Sequence, residues 1–104
     1  MKVISPFPKA TYHKNAEVYK ILANPIRLEI LNILKYGEFP VKQLTNYFRL
    51  RKPNISQHLA LLRHSQIVNV RRSGLTAYYS IVNPTIIEPC KILHNIRKKN
   101  NAKK

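Results

Sequence analysis

The sequence predicts a mainly α chain with a small β-hairpin, an α+β fold of five helices. Three observations carry this. Apolar residues recur at helical spacing over most of the chain, and the period drops to two between Val68 and Ile81. Pro or Gly marks most of the changes of element. With 104 residues, 44% of them apolar, the chain suits one domain and one modest core.

Residues 1–10 read as an irregular arm, because Pro6 and Pro8 oppose a helix. The helical pattern begins at Thr11, a suitable N-cap, and carries Ala16, Val18, Ile21 and Leu22 as its stripe. Asn24-Pro25 breaks it, since a residue before proline is pushed out of the α region. Pro25 then opens a second helix capped by Asn24, with Ile26, Ile30, Ile33 and Leu34 at helical spacing. Leu28 and Leu31 widen that stripe, so this helix is buried on more than one side, and Gly37 is its stop. Phe39-Pro40 reads as a short extended link.

A brief third helix, 41–48, buries Val41, Leu44 and Phe48. After a tight connection at Arg49-Leu50-Arg51, Pro53 starts a fourth that runs to about Ser65 and buries Ile55, Leu59 and Leu62. Val68 and Val70, Ser73-Gly74, and Tyr79 and Ile81 then describe a two-stranded hairpin around a Gly turn. Asn83-Pro84 ends it. The last helix carries Ile86, Ile87, Cys90, Leu93 and Ile96 and starts at Pro84 or, because Pro89 falls within its first turn or two, nearer Pro89, and the tail from residue 99 has no apolar anchor and reads as mobile. Two short helices joined by a tight turn and followed by a hairpin are the elements of a winged helix-turn-helix.

Charge narrows the function. Nineteen Lys and Arg face four acids, for a net charge of +15 and a pI near 10.4. Such a chain implies a polyanionic partner, most often nucleic acid. The acids are all Glu (Glu17, Glu29, Glu38 and Glu88), scattered along the chain, which removes paired-carboxylate and two-metal chemistry. One cysteine, Cys90, cannot build a disulfide framework. No apolar run has the length of a membrane span, and the first residues lack the apolar core of a signal peptide, so a cytoplasmic protein without membrane contact is expected.

In projection, the fourth helix turns Asn54, Gln57 and Leu61 outward, with Ser56 and His58 on its flanks. Asn and Gln pair bidentately with adenine in the major groove, and Ser serves either pair type. Lys52 and Arg63 flank this face. Between Phe39 and Ile87 there are seven Lys or Arg and no acid, where ordinary surfaces mix both signs. Arg71 and Arg72 fall at the hairpin tip, within reach of a phosphate backbone or a narrow minor groove. Gln43 and Thr76 complete the expected DNA contacts. About eight to ten phosphates engaged by a pair of subunits predict a log–log salt slope of about −7 to −9.

The stretch from Val18 to Asn83 resembles the arsenic-repressor (ArsR/SmtB-type) family of bacterial winged-helix repressors. The carrying residues are Leu22-Ala23-Asn24-Pro25-Ile26-Arg27-Leu28-Glu29-Ile30-Leu31, then Pro53 to Arg63 with Ser56-Gln57-His58-Leu59, then Arg71-Arg72-Ser73-Gly74 with Tyr78-Tyr79. The resemblance implies a homodimer on a partly palindromic operator, with repression relieved by an effector. Its first and last helices would pair across a twofold axis, through Val18, Ile21, Ile87, Cys90, Leu93 and Ile96. Residues 11–98 then form the DNA-binding and dimerisation domain, and 99–104 a basic tail.

The chain also departs from that family. The cysteine pair of arsenic-sensing members is replaced by Pro40 and Lys42 around Val41, so no metal or other cofactor is expected. Cys90 and His94 have ligand spacing, but Cys90 lies on an apolar stripe and reads as a small hydrophobe. His13, His58 and His64 form no ligand set; His58 suits a hydrogen bond that orients the turn, or a DNA contact. Arg49 and Gln66 stand where the family commonly has glycine. The effector is not named by the sequence.

Two other classes fit the sequence less well. A basic structural or RNA-binding protein would expose aromatics for stacking, and the aromatics here read as core or hairpin residues. An enzyme needs a nucleophile–base pair or a phosphate-cradling loop, and none is present.

Overall fold

The computed structural model describes residues 1–102. Its helices are α1 (Lys9–Leu22), α2 (Pro25–Leu34), α3 (Val41–Phe48), α4 (Lys52–His64) and α5 (Glu88–Ala102), and its strands β1 (Phe39–Pro40), β2 (Val68–Ser73) and β3 (Thr76–Ile81). The five helices match the expectation from sequence. The sheet does not: it has three antiparallel strands in the order β1-β3-β2. Phe39 and Pro40, expected as a mere link, pair with Tyr79 and Tyr78. Pro40 is tolerated because a first or edge strand does not need its N–H.

α1 starts at Lys9, two residues before Thr11, with Pro8 as its N-cap. A proline outside the first turn removes no helical hydrogen bond, and Thr11 N–H donates to the Pro8 carbonyl at 3.0 Å. Asn24 caps α2 as expected, its Oδ1 accepting from Arg27 N–H at 3.1 Å. Both non-glycine turn residues take the left-handed conformation, Arg49 at φ 55 and Gln66 at φ 61. Each costs about 1 kcal/mol against glycine. Asn83 caps a 3-10 turn, Pro84–Ile87, that leads into α5 without a break. Pro89 is accommodated in the first turn of α5. The helix reaches Ala102, so most of the segment expected as a mobile tail is helical, and Lys103 and Lys104 lie outside the described residues.

The core is formed by Ile30, Leu31 and Leu34 of α2, Leu44 of α3, Ile55, Leu59 and Leu62 of α4, and Ile67, Val68 and Ile87. Each such side chain taken from water contributes about 1.5–3 kcal/mol. This core fixes α4 against α2 and α3 and leaves one face of α4 uncovered. The terminal helices take little part: α1 has no buried residue. The molecule is elongated, 60 × 40 × 21 Å, with a radius of gyration of 16.7 Å. A compact chain of this length has about 13 Å.

Candidate nucleic-acid interface

α4 is anchored by Ile55, Leu59 and Leu62, all fully buried, which aims the opposite side at solvent. Lys52, Asn54, Gln57 and Arg63 are exposed there, while Ser56 and His58 are half-buried on the flanks. Leu61 is also half-buried rather than outward, and the small Ala60 takes the exposed place. The helix start has Pro53 in its first turn and no side-chain cap. Pro53 has no N–H to give, and the N–H groups of Asn54 and Ile55 donate to the Arg51 carbonyl at 3.0 and 3.3 Å, so any anion met here is held by side chains.

Between α3, the start of α4 and the hairpin runs a groove of about 620 Å³. Lys42 and Thr45 of α3, Lys52 of α4, and Arg72 and Thr76 of the hairpin line it. Three cations from three elements thus share one open channel, which meets α4 at Lys52, two residues before Asn54. Helical spacing puts Lys42 and Thr45 on one side of α3. The acid-free stretch contained Lys42, but sequence reasoning did not select it for the contact set and missed Thr45 altogether. The hairpin register sends only one of its two arginines, Arg72, to the groove. Arg71 pairs with Tyr78 and Arg72 with Ala77, so strand alternation sends the two arginines to opposite faces. Ser73 faces Thr76, leaving Gly74-Leu75 as a two-residue turn with Gly74 at φ +61.

Arg71 departs from the expectation of a free phosphate contact. Its Nε lies 3.1 Å from Glu38 Oε2, and its guanidinium stands 4.8 Å from the Tyr78 ring centroid. Glu38 raises its pKa further, through the hydrogen bond and its charge. The acid lies one residue before the acid-free stretch, and the three-stranded sheet brings it back to the hairpin. Gln43 is also separate. It lines a small apolar recess with Ile33, Phe39, Leu44 and Tyr47, one helical step round from Lys42. Arg63, at the far end of α4, is exposed but does not line the groove.

His58 is held from within the protein. Arg27 Nε–H donates to its Nδ1 at 3.1 Å, and Arg27 Nη1 donates to the Ile21 carbonyl at 3.0 Å. Burial and then the charge of Arg27 push the imidazole pKa below its usual value. The orienting bond expected of His58 is therefore present, made to α2 rather than to the turn. Arg27 was legible only as part of a motif.

The terminal helices divide the expected pairing residues. Leu93 and Ile96 are about half exposed, as is Ile92, which the sequence reading did not single out. Val18, Ile21 and Cys90 are half-buried. Ile87 is 4% exposed and belongs to the core of its own subunit, so it offers no surface to a partner. Its place in the 3-10 turn, not on α5, points it inward. The aromatic expectation also changes: Phe7, Tyr12, Tyr19, Tyr36 and Tyr47 are exposed. They are spread over the arm, α1, the segment after α2 and α3, not over one stacking platform. Among the described residues no group of three metal-ligating side chains comes together, and no helix is long and apolar enough to cross a membrane.

A helix-turn-helix with an uncovered amide-bearing second helix, flanked by a hairpin that closes a cationic groove, defines a winged-helix DNA-binding module. Residues 24–70 match the family described as bacterial regulatory protein, arsR family. The transcriptional repressor PagR of Bacillus anthracis is 37% identical over 84 residues, spanning 80% of this chain and 84% of that one. NolR from Sinorhizobium fredii superposes with a TM-score of 0.77 at 33% identity, covering 92% of this chain and 96% of the other. Mb0332 from Mycobacterium bovis, a homodimeric winged helix-turn-helix DNA-binding domain, gives 0.75 at 27% identity over 95% and 92% of the two chains. The chain belongs to the arsR family of transcriptional regulators and is a DNA-binding regulator.

Proposed function

We propose that the protein is a homodimeric repressor that binds a partly palindromic operator in the cytoplasm. α4 enters the major groove, where Asn54 and Gln57 read base edges and Ser56 assists. The groove of Lys42, Lys52, Arg72 and Thr76 holds the adjacent sugar–phosphate strand, and Arg63 meets the backbone at the other end of α4. Gln43 and Arg71, turned elsewhere or paired, play at most a peripheral part. The observation that carries this reading is the cationic channel that reaches the start of the helix whose amide face is uncovered. It needs both a strand of negative charge and base edges at its side. The protein acts by occupying its site and catalyses no reaction.

Dimerisation rests on Val18 and Ile21 of α1 and on Cys90, Ile92, Leu93 and Ile96 of α5. The apolar half of α5 and an α1 with no buried residue are surfaces that a single subunit leaves unsatisfied. That Mb0332 is homodimeric supports the pairing of two subunits. Twofold pairing would set two recognition helices about 34 Å apart, one turn of DNA.

Selection of duplexes from a random-sequence pool, with light scattering on the free protein, tests the proposal. The expected result is a dimer that enriches an inverted repeat, and a Gln57→Ala variant that enriches a more relaxed one. A monomer, a pool without enrichment, or equal binding to structured RNA of the same length would refute it.

A further inference from the structure

Arg27 lies where three elements meet. Its own N–H is taken by the Asn24 cap, its Nη1 satisfies the carbonyl of Ile21 in the last turn of α1, and its Nε donates to Nδ1 of His58 on α4. A carbonyl in the last turn of a helix has no helical partner and carries part of the negative end of the dipole, so a guanidinium suits that place. With one end fixed there, the other is aimed at the recognition helix. Arg27 joins the end of one candidate pairing helix to the helix that faces DNA.

The bond to His58 has a chemical consequence. Guanidinium nitrogens only donate, and the group stays charged at any working pH. The ring nitrogen it meets must therefore keep its lone pair. A neutral imidazole with a bare Nδ1 carries its proton on Nε2. A second proton would have to be placed on Nδ1, against a cationic donor 3.1 Å away. Among the described residues no protein group accepts from Nε2, and no side-chain nitrogen or oxygen there is both buried and without a partner, so Nε2 keeps access to solvent.

We infer that Arg27 is a positioning residue that holds His58 as the Nε2–H tautomer, so that α4 presents a fixed neutral donor to an acceptor atom of DNA. This rests on the DNA-binding reading above. A histidine free to change tautomer could accept as well as donate. The locked form selects an acceptor (guanine N7 or O6, adenine N7, thymine O4 or a phosphate oxygen) and rejects the amino groups of adenine and cytosine. Because the ring is neutral, its contact displaces no counterion.

The test uses the full chain labelled with ¹⁵N-histidine. Long-range ¹H–¹⁵N correlation at pH 7.5, with His58 assigned by its loss in His58→Gln, should show a protonated Nε2 and a bare Nδ1. In Arg27→Met, which keeps the apolar stem, the His58 signals should move to averaged values while circular dichroism shows the fold intact. Binding is then measured on a duplex that the wild-type protein selects from a random pool. His58→Gln, whose amide reaches the Nε2 position, should retain affinity within about threefold. The shorter His58→Asn should lose about three- to tenfold, the range of one hydrogen bond, with the salt slope unchanged. Losses confined to some base pairs assign the acceptor to a base edge, and uniform losses assign it to phosphate. A protonated Nδ1 in the wild type, unmoved signals in a folded Arg27→Met, or equal binding by the Asn and Gln variants would overturn the inference. A wild-type protein that selects no duplex would refute the DNA-binding reading instead, and the spectrum would still judge the hold of Arg27 on His58.

Discussion

Replacing Lys42, Lys52 and Arg72 together by Ala should change the salt dependence of DNA binding more than any other surface change. These cations line one groove, contributed by α3, α4 and the hairpin. On the proposed reading each neutralises one phosphate per subunit, hence two in a twofold complex, and each neutralised phosphate adds about −0.9 to the log–log slope. One substitution then flattens the slope by about 1.8, and three by about 5. A starting slope of about −8 would become about −3, so the affinity lost between 50 and 200 mM salt shrinks from about 10⁵-fold to under about a hundredfold. Fluorescence anisotropy of a labelled selected duplex across a KCl series measures this directly. Arg71→Ala is the internal control. Its guanidinium is already paired with Glu38 at 3.1 Å, so it should flatten the slope by less than Arg72→Ala. An unchanged slope in the triple variant, or equal flattening by the two arginine variants, would refute the geometry of the groove.

Other perturbations probe the scaffold and the pairing surface. Gly74→Ala should destabilise by about 1 kcal/mol in urea unfolding, through backbone strain alone, since φ is +61 and nothing lies within 4 Å of an added Cβ. Leu59→Ala, at a fully buried position, should cost about 2–5 kcal/mol by the same measurement. A combined Leu93→Arg and Ile96→Glu variant should sediment as a folded monomer and bind the selected duplex far more weakly. The His58 pKa is lowered in the folded protein, so the unfolded chain takes up that proton first as pH falls. The contribution of His58 to stability is therefore complete above about pH 6.5 and declines below it, a dependence that His58→Gln should remove from thermal unfolding curves.

The helices were legible because their apolar periods are long and their breaks carry proline. Ile55, Leu59 and Leu62 give both the buried side of α4 and, by exclusion, the exposed Asn54 and Gln57. Arg49 and Gln66 were recognisable as turn positions by resemblance, and their positive φ values follow. What escaped the sequence depends on partners distant along the chain. Two residues, Phe39 and Pro40, are too few to alternate, so nothing local marks them as a strand. Glu38 meets Arg71 across 33 positions, a pairing that needs the third strand to exist. Thr45 enters the site only through the hairpin opposite it. Ile87 turns inward, against the expectation from its stripe, because a 3-10 turn and an α-helix present the same residue in different directions. The helical end of α5 was hidden for a plainer reason: its composition is polar, and polar helices carry no period to read.

The pairing of Phe39 and Pro40 with Tyr79 and Tyr78 reaches beyond the sheet. Those two residues run straight into α3, so the strand that carries the hairpin is tied to the start of the helix-turn-helix. The module resembles a set caliper: the pairing braces the jaw made by the hairpin against the helix beside it. Adding one base pair between the portions of DNA gripped by each jaw shifts them by about 3.4 Å and turns them by roughly 35°. Since the protein is braced, the duplex must absorb that misfit by twisting or bending. Tolerance for altered spacing within a half-site should therefore follow the flexibility of the intervening base steps.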